Sequence, residues 1–167
     1  VGAADSRGFS ALMHAVFLDR ADAARLLIEK GADVNATDAH GWPFIMRAVL
    51  EGSTNMVRLL LEGGADANAA KSNGVTALMH AASQGRTDVV RLLIEHGADV
   101  NATDKSHGFT ALLVAAWQGR ADTLKLLMEK GADVNAVDAR GNTARFLARK
   151  SGHTNVERLL KAAGAKK

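Results

Sequence analysis

The chain has 167 residues, enough for one ordinary domain, and a formal net charge of only +3, too small an excess to argue for nucleic-acid binding. It contains no cysteine, which excludes disulfides and thiolate metal sites and fits an oxidising or a reducing compartment equally well. It has no apolar run of the roughly 18 residues that a membrane-spanning helix needs, and no signal peptide is visible.

A repeat organises everything else. Gly-Ala-Asp begins at Gly31, Gly64, Gly97 and Gly131, and a degraded copy begins at Gly164; the spacings are 33, 33, 34 and 33. A second glycine recurs at Gly8, Gly41, Gly74, Gly108 and Gly141 with the same spacings. Two markers in register over the whole chain divide it into units at residues 5–37, 38–70, 71–103, 104–137 and 138–167. Residues 1–4 read as the tail of a preceding unit, because Val1-Gly2-Ala3-Ala4-Asp5 aligns with Val34-Asn35-Ala36-Thr37-Asp38. More chain is therefore expected before Val1.

Unit one opens on a helix over Ala11 to Leu18 that has the apolar look of an internal element rather than a polar cap. Unit two carries Trp42-Pro43-Phe44 where the others carry a hydroxyl residue and alanine, so it lacks a capping hydroxyl. In unit three, Thr76 caps a helix over Ala77–Gln84, and Gly85 stops it. A second helix follows over Thr87–Glu95, and Gly97 is expected in the left-handed conformation behind it. Helices this short do not stand alone in water, so each unit must bury its apolar face against its neighbours. Unit four has one extra residue within Asp104-Lys105-Ser106-His107, at a loop tip where insertion costs little. Residues 138–167 hold eight Lys/Arg against two Asp/Glu, and the rest of the chain thirteen against sixteen, so the last unit is a basic cap. A basic end steers acidic partners, an effect that salt weakens.

Chemistry is not expected. His14, His40, His80, His96, His107 and His153 include no pair at helical i, i+3 or i+4 spacing. His14 and His80 occupy equivalent positions two units apart, roughly 20 Å at ordinary helix packing distances, too far for one ion. Asp33, Asp66, Asp99 and Asp133 recur once per unit, which points to turn amides rather than to catalysis. No phosphate loop or nucleophile elbow occurs, and neither a cofactor nor a metal is expected.

The stretch V-R-L-L-I-E-H-G-A-D-V-N-A, from Val90 to Ala102, with T-A-L-M-H-A-A from Thr76 and T-A-L-L-V-A-A from Thr110, resembles the ankyrin repeat over the entire chain. The resemblance implies an all-α solenoid of five helix-turn-helix units with protruding loops, expected to be monomeric alone. The family's first-helix histidine is replaced by Met13, Met46, Met79, Leu113 and Phe146, so apolar packing takes over from a polar contact. The resemblance also implies binding of a partner protein on a concave face of loop tips and first-helix ends. Carried across, that face holds Arg7, Phe9, Phe17 and Leu18 in unit one, and His40, Trp42, Leu50 and Glu51 in unit two. It holds His107, Phe109, Trp117 and Gln118 in unit four, and Arg140 and Lys150 in unit five, while unit three is polar there. Five of the seven aromatics in the chain fall on these positions; Phe44 and Phe146 read as core. Aromatics are enriched in binding hot spots, and the cations outnumber Glu51, so the expected partner face is neutral to acidic.

Three functions compete at this stage. The chain is a protein-binding module, in its narrower form an inhibitor or protective partner that blocks an enzyme's active site, possibly bacterial and exported. It is a scaffold fragment of a larger protein. Nucleic-acid binding through the basic last unit is the weakest reading, because that unit lacks interleaved aromatics.

Overall fold

A computed structural model describes residues 10–166. In chain order the helices pair as α1 (Ala11–Phe17) with α2 (Ala21–Glu29), α3 (Phe44–Glu51) with α4 (Thr54–Glu62), and α5 (Ala77–Gln84) with α6 (Thr87–Glu95). Two further pairs follow, α7 (Ala111–Trp117) with α8 (Ala121–Glu129) and α9 (Ala144–Lys150) with α10 (Thr154–Ala162). The odd-numbered helices stack in one row and the even-numbered helices in a second. This is an all-helical solenoid. Unit three follows its sequence reading at both helices, whereas α1 stops one residue early and Leu18 becomes its C-cap.

Sequence sets the helix boundaries. Ser10, Thr76, Thr110 and Thr143 each accept a hydrogen bond on the side-chain hydroxyl from the N–H three residues on, at 3.1–3.3 Å. Such a cap contributes about 1 kcal/mol. Pro43 caps α3 without any side-chain bond. Behind α6, Gly97 has φ +88°, the left-handed conformation that closes a helix C-terminus. Gly85 is left-handed too, and Arg120 lies against it, its Nε donating to the Ser83 carbonyl at 2.9 Å. A glycine there does two things: it reverses the chain, and it lets the next unit's arginine reach the C-terminal end of α5.

The core runs between the rows. Met13, Met46, Met79 and Leu113 are all buried, so packing does replace the polar residue at four of these positions. Phe146 packs against the core but is only half-buried, with the Arg149 guanidinium carbon and the Lys150 ammonium 5.8 Å and 6.0 Å from its ring centroid. Phe44 is buried as expected. Leu26 is 56% exposed, whereas its counterparts Leu59, Leu92 and Leu126 are buried.

The recurring acids serve their loops. Asp33, Asp66, Asp99 and Asp133 each accept from the N–H two residues on, at 2.8–2.9 Å. An asparagine row then ties unit to unit. Asn35, Asn68 and Asn101 each donate from Nδ2 to the carbonyl of Gly64, Gly97 and Gly131 in the next unit, and each accepts on Oδ1 from the N–H of Asp66, Asp99 and Asp133. Asn135 continues the row, accepting from the Lys166 N–H at 3.0 Å.

Candidate functional site

In units two, four and five the loop tip is built around an aspartate that folds its backbone inward. Asp38 accepts on Oδ1 from the N–H groups of His40 and Trp42, and Asp138 does the same for Arg140 and Asn142. Unit four stretches this plan by one residue. There Asp104 accepts from three successive amides, those of Ser106, His107 and Gly108, and its own N–H reaches the Phe109 carbonyl. The extra residue is absorbed by a wider turn in which the amides of Asp104 through Gly108 are all bonded. Neighbouring tips are tied together: the Lys105 N–H donates to the Asn73 carbonyl at 2.9 Å and the Ala139 N–H to the His107 carbonyl at 2.7 Å.

Two aromatic groups result, and they differ. Around unit two, Trp42 is half-buried, with the Lys71 ammonium 3.7 Å from its ring centroid, the Arg47 guanidinium carbon at 4.9 Å and the His80 ring centroid at 5.6 Å. Arg47 also lies 5.4 Å from the centroid of Phe17, so one guanidinium joins the two rings. Arg47 in turn grips Asp38 through Nε at 2.8 Å and Nη2 at 2.6 Å. Burial alone would raise the Asp38 carboxyl. The Trp42 amide, the Arg47 side chain, the His40 amide and the Arg47 charge outweigh burial and hold it below the ordinary aspartate value. The cluster ties a loop tip to a helix that lacks a capping hydroxyl.

Around unit four, Phe109 and Trp117 stack in parallel, centroids 5.8 Å apart with 1° between their planes. His107 stands beside Phe109 at 6.0 Å. Trp117 is 47% exposed. The pair lines a groove of about 760 Å³ together with Arg140, Lys150 and Ser151. Asp138 also lines it, buried, with Oδ2 bonded to Asn142 Nδ2 at 2.8 Å. Burial would raise this carboxyl as well. The Asn142 side chain and the amides of Asn142 and Arg140, with the Arg140 charge, hold it low and ionised.

The structure thus gathers His107, Phe109, Trp117, Arg140 and Lys150 around one groove. Gln118 is exposed outside its lining. Phe17 and Leu18 are 42% and 65% exposed, Leu50 is half-buried, and His40 and Glu51 are exposed. Arg7 and Phe9 lie outside the described residues. Sequence reasoning missed Lys71 and Arg47, which occupy the faces of Trp42. Lys71 stands at the loop position that holds Asp38, Asp104 and Asp138 in other units, and that break in pattern was the available signal. Among the described residues, no three His, Asp or Glu side chains gather as a metal ion would require, and no helix is long and apolar enough to cross a membrane.

His80 carries a pH dependence. Burial, and then the Lys71 charge, depress its basicity below the usual histidine value. The unfolded chain therefore binds this proton more readily than the folded one, and stability falls as pH drops below about 6.5. We expect the melting temperature to decline from pH 6.5 to 5 and to decline less in His80→Gln. Parallel profiles for the two proteins would contradict the assignment.

The comparisons agree with this architecture. Residues 45–138 match a family model described as ankyrin repeats in three copies, and residues 11–61 match a second described as ankyrin repeats in many copies. No curated protein matches the chain. Ankyrin repeats are in general protein–protein interaction modules and typically not enzymes. With most of its length covered by these matches and with paired helices stacked in two rows, the chain belongs to the ankyrin-repeat family.

Proposed function

We propose that the protein binds a partner protein through the face formed by its loop tips and first-row helices, with the grip centred on Phe109 and Trp117. One observation carries this reading: a large aromatic ring, half exposed, lies in a parallel stack with a second ring along a groove. An exposed aromatic on a stiff support loses little entropy on binding and supplies much contact area, which is how hot spots work. The unit-two cluster contributes a rim, because its rings already hold cations of the same chain.

Affinity capture from the native source with immobilised protein tests the placement. Trp117→Ala should weaken retention of the captured partner at least about tenfold, since a hot-spot truncation costs about 2 kcal/mol or more. Arg91→Ala, an exposed change on the second-row helix α6, should leave retention unchanged. The reverse result would put the interface on the other row. Trp117 is the cleaner probe of the two tryptophans, because truncating the half-buried Trp42 would disturb the Asp38–Arg47 cluster as well.

A further inference from the structure

The same groove has a charge pattern that specifies more than an apolar grip. Its exposed charged groups are Arg140, from the tip of unit five, and Lys150, from the end of α9. Among the described residues the ion pairs are Arg47–Asp38, Lys125–Asp122 and Arg145–Glu157, so neither groove cation is matched by a carboxylate within ion-pair distance. The one carboxylate in the lining, Asp138, is buried and occupied by the amides of its own loop and by Asn142. The Phe109–Trp117 stack lines the same groove. The unit-four part of the lining therefore calls for an apolar or aromatic side chain and the unit-five part for negative charge.

We infer that this groove takes an acidic segment of the partner protein, an extended stretch in which an aromatic side chain lies beside carboxylates. The inference rests on the protein-binding reading above and names the chemistry of its ligand. The aromatic side chain lies on Trp117, and the neighbouring carboxylates meet Arg140 and Lys150. A volume of about 760 Å³ suits a few side chains. Single-stranded nucleic acid is the other polyanion to consider. It needs successive stacking platforms along a basic track, and here the two rings stack on each other, so one platform is open to a ligand. The basic character of residues 138–167 extends the pull on acidic chains beyond the groove.

Short fluorescent peptides and the intact protein test this by anisotropy. The first peptide carries one phenylalanine between glutamates, the second replaces the glutamates with glutamine, and an oligothymidine serves as the nucleic-acid probe. We expect saturable binding of the acidic peptide, weakened at least about tenfold by the glutamine exchange and by Arg140→Ala with Lys150→Ala together. Trp117→Ala should weaken it comparably, and added salt should weaken it further. The reversal Arg140→Glu with Lys150→Glu should transfer preference to a phenylalanine–lysine peptide. All these residues are exposed, and far-UV circular dichroism checks that each variant is folded. Equal binding of the glutamine peptide, no binding of the acidic peptide, or tighter binding of the oligonucleotide would overturn the inference. If a captured partner needs Trp117 but tolerates loss of both cations, the acidic ligand fails and the protein-binding reading stands; indifference to Trp117 overturns both.

Discussion

Leu93→Ala is expected to lower the unfolding free energy by about 2–5 kcal/mol and to break the molecule's unfolding into two steps. Leu93 is fully buried on α6, in the middle unit, and α6 packs against α4 on one side and α8 on the other. The loss combines the transfer free energy of the removed Cγ and its two methyl groups with the cavity they leave behind. In a linear array each unit touches only its neighbours, so a weak central unit also uncouples the ends. The two tryptophans lie on opposite sides of that unit, Trp42 in unit two and Trp117 in unit four. Trp42→Phe and Trp117→Phe each leave a single reporter. Denaturation of these two proteins should give coincident midpoints, as a two-state molecule does, and separated midpoints once Leu93→Ala is added. Coincidence after the change would show that coupling does not pass through this core, and a loss below about 1 kcal/mol would contradict its tight packing.

Most of that architecture was legible from spacing. A glycine after every helix but α1, where Asp19 takes the left-handed conformation instead, and a hydroxyl before most first-row helices are local signals, and the helices begin and end where those residues stand, as Thr76, Gly85 and Gly97 do around α5 and α6. The asparagine row is equally periodic, at Asn35, Asn68, Asn101 and Asn135, yet its role joins residues about 30 positions apart and could not be read from one unit alone. The site was legible only as a set of positions. Sequence treated Trp42 and Trp117 as equivalent rings, because both stand at contact positions of the repeat. What separates them lies elsewhere in the chain: Lys71 and Arg47 cover Trp42, while Trp117 stacks on Phe109 in a groove that the cations of unit five also line. Pairing a ring with a cation from another unit depends on how units stack, which motif spacing does not encode.

Asp38→Ala is the second large change, expected to cost about 3–5 kcal/mol. The Asp38 side chain is fully buried and takes four hydrogen bonds, from the amides of His40 and Trp42 at 2.8 Å and 2.9 Å and from Arg47 at 2.8 Å and 2.6 Å. Removing it leaves the largely buried Arg47 without its partner, and stripping one member of a buried pair carries a penalty of that size. Asp38→Asn should cost less, since an amide oxygen still accepts from the loop, although its NH₂ then faces the guanidinium. Arg47→Ala should also cost less than Asp38→Ala, because the carboxylate keeps both loop amides. A double-mutant cycle between Asp38 and Arg47 should therefore return a favourable coupling. The effect has a definite pH window. A carboxyl held below its ordinary value of 3.8 stabilises the fold above that pH, and its contribution is lost as pH falls through the lowered value. The gap between wild type and Asp38→Ala in denaturant midpoint should thus be widest near neutrality and should narrow below about pH 4. A gap unchanged down to the acid limit of folding would mean that the negative charge on Asp38 contributes nothing, and that the loop is held by shape alone.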